Sequence, residues 1–510
     1  GTVDVTSTGT LSSGGGASSA FSGGVLTSHS VTFSNTGTFT ITATKPTTLE
    51  AGTSNSFLVN PGALANFLVE AAAGGPIPAQ TAGTPFSIKI TARDANNNTV
   101  TGFTGTVDVT STGTLSSGGG ASAAFSGGIL TSHSVTLSNT GSFTITATKP
   151  TTLETGISNA FPVSPGAPVR INVETAADGT GAIVPAQSLI AGTALTVFAV
   201  SRDTLNNFIS NVAADVWSLQ SVTGGLAAGD LVPSVDRKSA ILTGHLVGSA
   251  RINAASGSLT ANSSGIITVA AGSAVRVAFI QQPSNIIAGS TITPSMTVQL
   301  KDIAGNNVAL TGVTVLLSMS GTGTLSGVKT RTTGATGLVT FNNISVDLVG
   351  VKRLIATSTG LAPDTSVAFT VSPAPLDHFL VEAVGGGAIA TQLMGTPFSI
   401  RITAQDIIGN TVTAFTTTVE ITSTGILASG SGTTAVFTAG ILASHAVNFS
   451  QGGTVTLTAT DGVSLAAGTS NSFVVNNAVP ATTTISPTSK SVGEAGFTLR
   501  NTFATPPCGS

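Results

Sequence analysis

The chain has 510 residues, of which 41% are hydrophobic and only 8% are charged, and its formal net charge is -3. A chain that is neither basic nor strongly acidic has no electrostatic footprint for nucleic acid or for an anionic membrane surface. No run of about 18 apolar residues occurs, so we predict no membrane insertion by this segment. With Tyr 0, Trp 1, Cys 1 and His 5, few side chains suited to catalysis or ligand stacking are present.

An internal repeat organises the chain. Residues 2–60 return at 106–164, displaced by 104 residues and identical at most positions, and a more diverged copy covers 376–475. Two further segments between these copies share only a landmark, an Asp followed by a Gly/Asn pair and a β-branched residue. The period of about one hundred residues is the size of one β-sandwich. The landmark residues are Asp94, Asp203, Asp302 and Asp406.

Alternating hydrophobicity predicts short strands and no helix. In residues 86–93 every second side chain is apolar, which is the period of a half-buried strand. Clusters of Gly, Asn, Ser and Pro separate similar runs, as is typical of an all-β sandwich. These runs are 106–110, 134–138 and 143–147.

Each unit ends with a strand and a short joint, often containing Pro or Gly. Pro fixes φ and the joints are only a few residues long, so we expect stacked domains in an extended rod of roughly 150–200 Å. Residue 1 falls at the equivalent of Gly105, so we expect the first repeat to be N-terminally truncated and this segment to lack a signal peptide. The predicted domains are 1–61, a partial repeat; 62–166; 167–272, which is diverged; 273–374; 375–477; and 478–510, the truncated start of another module.

The run AGTPFSIKITARDANNNTVTGFTGTVDVTSTG (82–113) resembles bacterial immunoglobulin-like repeats of the invasin/intimin type, and filamin-like repeats are a nearby relation. The resemblance covers residues 1 to about 477. The run ISPTSKSVGEAGFTL in the last segment resembles the first strand of an IPT/TIG domain. The resemblance implies tandem immunoglobulin-like sandwiches that serve as stalks, spacers or adhesive arms outside a bacterial cell.

Recurring histidines suggest a metal site, but their positions in the repeats argue against one. His29, His133 and His445 recur in one context, but each belongs to a different repeat, so they cannot form one site. His245 and His378 have no partner pattern. Metal fingers need paired Cys, and the chain has one. We therefore predict inherited strand or loop positions, with no metal ligands and no cofactor.

The acidic residues of the landmark have two interpretations, a calcium site and a tight turn. The landmark Asp could be a calcium ligand, but calcium needs six to eight oxygens, and the acidic residues are dispersed. Asp can bond its own backbone two residues on, and Asn and Gly tolerate positive φ, so tight turns are the better interpretation. We expect Glu70, Glu174 and Glu382 to lie on a solvated strand face.

No nucleophile or phosphate loop is indicated, so the sequence predicts no catalytic residues. Gly-Ser-Gly at 430–432 lacks the strand-turn-helix context of a nucleophile elbow, and no carboxylate pair marks a glycosidase site. The glycine runs 14–16 and 118–120 lack the Lys-Ser/Thr ending of a phosphate loop and are predicted to be flexible connections. We expect Trp217 to pack in a sandwich core rather than to be a sugar platform, and interpret Cys508 as a chance residue.

These patterns predict a non-catalytic spacer or adhesive stalk of a bacterial cell-surface or secreted multi-repeat protein. Its partners would be other cell-surface or extracellular proteins or glycans. Two alternatives stay open: an accessory region of a larger secreted enzyme, or a glycan- or protein-binding module. In the latter case, an exposed aromatic or charged patch is expected within 167–374, the part least like the other repeats.

Overall fold

The computed structural model describes residues 1–477, and their regular structure is almost entirely β-strand. Within these residues the one helical element is a 3₁₀ turn at Ala228–Asp230, so the predicted all-β class is confirmed. No helix in this range is long and apolar enough to cross a membrane. The chain divides into two compact units, Gly1–Gly272 and Ser273–Ser510.

The strands of the first unit are short and separated by glycine-rich turns. They are β1 Asp4–Ser7, β2 Leu11–Ser13, β3 Gly16–Ala17, β4 Thr32–Phe33, β5 Gly37–Phe39, β6 Ile41–Thr44, β7 Ala51–Thr53, β8 Phe57–Val59, β9 Asn66–Ala71, β10 Gln80–Thr81, β11 Phe86–Arg93, β12 Asp108–Ser111, β13 Leu115–Ser117, β14 Gly120–Ala121, β15 Ile129–Leu137, β16 Gly141–Phe143, β17 Ile145–Thr148, β18 Thr155–Ile157, β19 Phe161–Ser164, β20 Arg170–Glu174, β21 Gln187–Ile190, β22 Ala194–Arg202, β23 Phe208–Asn211, β24 Val216–Gly224, β25 Leu231–Pro233, β26 Ser239–Thr243, β27 Gly248–Ala255, β28 Thr260–Asn262 and β29 Ile267–Ala270.

The second unit continues in the same style. Its described strands are β30 Arg276–Gln281, β31 Ile286–Ile287, β32 Met296–Lys301, β33 Thr314–Ser320, β34 Leu325–Ser326, β35 Thr330–Thr332, β36 Leu338–Phe341, β37 Ser345–Val346, β38 Gly350–Ser358, β39 Leu361–Thr365, β40 Phe369–Ser372, β41 His378–Ala383, β42 Gln392–Leu393, β43 Phe398–Gln405, β44 Glu420–Ser423, β45 Leu427–Ser429, β46 Gly432–Thr433, β47 Ile441–Phe449, β48 Gly453–Val455, β49 Leu457–Thr460, β50 Ala467–Thr469 and β51 Phe473–Asn476.

Residues 62–166 and 375–477 pair their strands in the same order. The first has sheets β13-β15-β11-β9, β14-β12-β17-β18 and β10-β19-β16; the second has β45-β47-β43-β41, β46-β44-β49-β50 and β42-β51-β48. Ile88 and Ile90 of β11 pack against Ile145 of β17 in the core between the sheets, and all three are fully buried. These are immunoglobulin-like sandwiches arranged in tandem.

The predicted strand 86–93 coincides with β11, but the predicted strand 143–147 is wrong as a single element. It is divided at Thr144 because β16 pairs with β19 while β17 pairs with β12 and β18 of another sheet. The Thr144 N–H donates to a side chain there, the Oγ1 of Thr112 at 3.0 Å, instead of to a strand partner. The chain thus changes sheets at this residue, a step that alternation alone does not reveal.

The remaining three segments differ in how they complete their cores. Residues 167–272 form sheets β25-β26-β22-β20-β28 and β21-β29-β27-β24, and residues 273–374 form a longer path, β31-β40-β38-β39-β30-β32-β36. In residues 1–61, Ile41 and Phe57 are half-buried, whereas their counterparts Ile145 and Phe161 are fully buried. The reason is that residues 1–61 contain no counterparts of β9 and β11.

Candidate functional site

The landmark Asp forms a tight turn, as predicted. Asp94 Oδ1 accepts hydrogen bonds from the backbone N–H of Asn96 at 2.9 Å and of Asn98 at 2.8 Å. Asn97 lies between them at φ 68°, in the left-handed region that Asn tolerates. Equivalent capping bonds join Asp203 to Asn207 N at 2.8 Å.

The other two turns repeat this geometry. Asp406 Oδ1 accepts from Asn410 N at 2.8 Å, and Asp302 Oδ1 accepts from Asn306 N at 2.8 Å. Glycine occupies the left-handed position in both turns: φ is 94° at Gly409 and 92° at Gly305. The turn is therefore a shared local structure in all four segments, including the two with little sequence identity.

The second carboxylate oxygen reaches the joint with the preceding segment. Asp94 Oδ2 accepts a hydrogen bond from Gly62 N at 2.9 Å, and Asp203 Oδ2 accepts one from Gly166 N at 3.0 Å. In the second unit, Asp406 Oδ2 accepts from Ala374 N at 2.9 Å. Each Asp thus ties the connecting chain to its own turn.

The Asn four residues after the Asp reaches further, into the preceding segment itself. Asn98 Nδ2 donates to Ser34 O at 3.0 Å, and Asn207 Nδ2 donates to the equivalent carbonyl of Ser138 at 2.9 Å. The same amide nitrogens also donate to the Oδ2 of Asp94 and Asp203. We call each such Asp and Asn a latch pair, because together they hold the joint and the neighbouring loop.

A third latch pair lies in the second unit and makes one more contact. Asn410 Nδ2 donates to Asp347 O at 2.8 Å, and Asn410 Oδ1 accepts from Val349 N at 3.2 Å. Asn410 is buried and so is Asp406, its partner in the latch. The joints at residues 62, 166 and 374 are therefore held by equivalent atoms.

Two of the joints also have an apolar contact. A Cβ built on Gly83 would lie 3.1 Å from Leu205 Cδ1, and one built on Gly289 would lie 2.9 Å from Ile408 Cδ1. In both cases a side chain of the turn covers a glycine of the preceding segment. At the joint at residue 62 the corresponding turn residue is Asn96.

The latch carboxylates are buried but ionised. Asp94, Asp203 and Asp406 are 3%, 1% and 0% exposed. Burial raises the pKa of each carboxyl, but the hydrogen bonds from the Asn side chain and the backbone N–H groups outweigh it and hold the pKa below the ordinary value.

The latch was only partly predictable. The sequence indicated the turn but not its contacts with the preceding segment. Calcium binding is opposed by the geometry, because N–H donors surround both carboxylate oxygens, whereas calcium requires oxygen ligands. Within residues 1–477 no group of three or more His, Cys, Asp or Glu could hold a metal ion. One signal was available: an Asn stands four residues after every landmark Asp, where no left-handed backbone requires it.

The three recurring histidines lie in separate segments and make one equivalent contact each. The Nε2 of His29, His133 and His445 is 2.7, 2.8 and 2.9 Å from the carbonyl oxygens of Gly14, Gly118 and Gly430, respectively. Each His therefore contacts the glycine-rich connection of its own repeat, from a strand in the case of His133 and His445, in keeping with inheritance by duplication.

The other histidines contact a nearby acid. His245 Nδ1 is 3.0 Å from Asp230 Oδ1, and His378 Nδ1 is 2.9 Å from Asp377 Oδ2. The structure does not bring these two residues together with the recurring histidines.

The expectation of a solvated strand face is wrong for Glu174, whose side chain is 1% exposed and paired with Arg202. Glu70 is 15% exposed; it lies 2.8 Å from Lys89 Nζ and accepts from Gly75 N at 2.9 Å. Glu382 likewise accepts from a turn N–H. Cross-strand pairing and the following turn enclose these carboxylates.

The remaining sequence candidates are structural within residues 1–477. Trp217 packs against the core of its segment, as predicted, and its Nε1 donates to Arg237 O at 2.9 Å. Ser431 lies in a connection between two short strands, without a helix. Gly118 has φ 78°, and a Cβ there would lie 2.1 Å from Ser134 O. Cys508 and the IPT/TIG-like run lie outside the described residues.

No protein-family model matches the chain, and no curated protein matches it. Similar solved structures include FdeC, an Escherichia coli adhesin, at 19% identity over 62% of this chain and 100% of that one, with a TM-score of 0.32. Yersinia pseudotuberculosis InvD is similar at 18% identity over 56% and 95%, with a TM-score of 0.25. Immunoglobulin domains 1–5 of Sidekick-1 are similar at 10% identity over 93% and 95%, with a TM-score of 0.17. Likenesses at this TM-score carry no argument for function, and the fold assignment rests on the strand pairing above.

Proposed function

We propose that this chain is a non-catalytic structural spacer or adhesive stalk of a bacterial cell-surface or secreted multi-repeat protein. The observation that carries the proposal is the latch pair, which recurs with equivalent atoms at the joints at residues 62, 166 and 374. Joints that merely connect domains need no such contacts. Joints that set the orientation of each repeat on the next one do.

The free energy of these contacts is sufficient to fix the orientation of one segment on the next. Two hydrogen bonds bridge the segments at the joint at residue 166: the Gly166 N–H donates to Asp203 Oδ2, and Asn207 Nδ2 donates to Ser138 O. The Leu205 side chain also packs over Gly83. Buried hydrogen bonds contribute about 1 kcal/mol each, and more when one partner is charged. A few kcal/mol is enough to make one orientation dominate over all others.

The location outside a bacterial cell is part of the proposal. It is supported by the resemblance of residues 82–113 to bacterial immunoglobulin-like repeats. Partners would be extracellular proteins or glycans contacted at surfaces that the stalk carries or presents.

Small-angle X-ray scattering on the full chain tests the spacer. Units of about 40 Å in line predict a maximum dimension of roughly 150–200 Å. A compact particle of about 60–70 Å, the size expected when such units fold back on one another, would overturn the proposal.

A second candidate function, a binding module, is favoured by two clefts in residues 273–374. They have volumes of about 470 and 440 Å³, and both are lined by Leu316, which is 45% exposed on β33. This function predicts that Leu316→Ser abolishes retention of the chain on a glycan array or on extracellular matrix proteins. Leu380→Ser, at a similarly exposed Leu of β41, is the matched control and should retain binding. Absence of any wild-type binding rejects this candidate.

A further inference from the structure

The residue directly before the latch Asp differs between segments, and in residues 167–272 it forms a buried ion pair. Arg202 Nε lies 2.5 Å from Glu174 Oε1, and Arg202 Nη2 lies 2.6 Å from Glu174 Oε2. The two side chains are 9% and 1% exposed. Asn172 Nδ2 donates to Glu174 Oε1 at 2.8 Å, so the carboxylate is held from a second side.

The same guanidinium holds the latch turn. Arg202 Nη1 donates to Asn206 O at 2.9 Å, and Asn206 is the left-handed residue between Asp203 and Asn207. Arg202 Nη2 also donates to Gly179 O at 3.0 Å. Arg202 therefore connects the turn that reaches the preceding segment with the buried core of its own segment.

The equivalent residues form a graded series. In residues 375–477, Gln405 Nε2 donates to Gly409 O at 3.2 Å, which is a neutral version of the Arg202 contact. In residues 62–166 the position is Arg93, which makes no side-chain hydrogen bond to its turn among the described residues; Glu70 pairs instead with Lys89. The counterpart of Lys89 in residues 167–272 is Phe198.

We infer that the residue directly before the latch Asp is a positioning residue that grades the stiffness of its joint. Arg202 makes the joint at residue 166 stiff, and the joint at residue 62, with Arg93, is the more compliant one. This inference rests on the proposed function, since stiffness matters only where the joints set the reach of the chain.

The physical reason lies in how the turn can move. A latch turn anchored only by Asp94 and its own backbone can rock on the end of β11 while both hydrogen bonds to the preceding segment persist. A turn whose carbonyl is bound by Arg202 cannot rock without separating a desolvated ion pair, which is costly because each charge would be left buried and unpaired. The restraint acts through the turn, and Arg202 itself makes no contact with the preceding segment in the hydrogen bonds described.

Double electron–electron resonance on the full chain tests the grading. Spin labels on cysteines replacing the exposed, mid-strand residues Thr6, Thr110 and Thr196, in a Cys508→Ser background, span the joint at residue 62 (6 with 110) and the joint at residue 166 (110 with 196). We expect a narrower distance distribution for the pair 110/196 than for the pair 6/110.

The variant pair separates positioning from folding. Glu174→Leu with Arg202→Met removes both charges together, which leaves no buried charge unpaired, and should widen the 110/196 distribution to the width of 6/110. Glu174→Gln with Arg202→Gln imitates the Gln405 contact and should give an intermediate width. The width of 6/110 should stay unchanged in both variants, and Trp217 fluorescence verifies that the segment is folded.

The measured widths distinguish failure of the spacer function from failure of the positioning role of Arg202. Broad distributions at both joints of the wild type would overturn the proposed function. Narrow distributions at both joints, with no widening of 110/196 in the folded Leu/Met variant, would overturn the positioning role of Arg202 and leave the spacer intact. Arg251→Met, which removes a hydrogen bond to Ser264 O elsewhere in the segment, is the control and should change neither width.

Discussion

Asp203→Asn distinguishes a latch from a simple turn. In an isolated Asx turn, Asn replaces Asp with little loss, because one side-chain oxygen is enough to accept the backbone N–H groups. In this structure Asp203 uses both oxygens: Oδ1 for Leu205 N and Asn207 N, and Oδ2 for Gly166 N and the Asn207 amide. The substitution would turn the second acceptor into an NH₂ group.

The expected loss follows from that geometry. The new NH₂ would face two donors, the Gly166 N–H and the Asn207 amide, in a site where Asp203 is 1% exposed. Two hydrogen bonds to a charged acceptor are lost and donors are left opposed without water. At about 1.5–3 kcal/mol for each such bond, with incomplete additivity, we expect a loss of roughly 3 kcal/mol from the free energy of unfolding.

The chain offers a local probe for this measurement. Trp217 is its only Trp and Tyr is absent, so the fluorescence of Trp217 during denaturant unfolding of the full chain follows residues 167–272 alone. Asp236→Asn is the matched control, because Asp236 is exposed and caps Lys238 N through one oxygen, and it should leave the midpoint unchanged. If Asp203→Asn is as mild as this control, the carboxylate serves the turn only and the latch is refuted.

Three further predictions concern acid, the histidines and a glycine. Because hydrogen bonds hold the pKa of Asp94, Asp203 and Asp406 below the ordinary value, the stabilisation by these carboxylates is complete above about pH 5 and is lost as pH falls below about 4. The Trp217 unfolding midpoint should follow this course, and Asp203→Asn should make its decrease with falling pH shallower. An equally steep decrease in the variant would contradict the role of the ionised Asp203. His133→Ala should lower the stability of residues 62–166 by about 1 kcal/mol in calorimetry, since it removes one hydrogen bond to Gly118 O, while Zn²⁺ should leave the wild-type transitions unchanged; a transition raised by Zn²⁺ would reveal a site. Gly118→Ala should destabilise the same residues far more than Gly120→Ala does: both have positive φ, but only Gly118 has a carbonyl where its Cβ would lie, so equal effects would contradict the strand packing described here.

The fold was predictable from the sequence because its signals are local and repeated. The alternation in residues 86–93 falls on β11, and the period of about one hundred residues gives each segment enough chain for a sandwich. The change of sheet at Thr144 was not predictable, because both halves of the run alternate in the same way and only their partners differ.

The contacts of the latch with the preceding segment were not predictable because their partners are distant in sequence. Asn98 and its acceptor Ser34 are separated by 64 residues, and a serine carbonyl carries no signal that distinguishes it from any other backbone oxygen. The burial of Glu174 was missed for a related reason. The cation that pairs with Glu174 is Arg202, whereas the cation that pairs with Glu70 is Lys89, at a different position of its strand. Because the position of the cation differs between the segments, the ion pair leaves no repeated pattern in the sequence.

Small-angle scattering of two matched double variants tests directly whether latch pairs hold neighbouring repeats in a fixed orientation. Asn98→Ala with Asn207→Ala removes two latches. Asn35→Ala with Asn139→Ala removes two hydrogen bonds that stay within a segment, to Thr10 N and Thr114 N, each in the same loop as the accepting serine. We predict that the control variant keeps the wild-type maximum dimension, whereas the latch variant gives a shorter or more flexible particle with unchanged β-sheet content. Identical scattering from both variants would contradict the account.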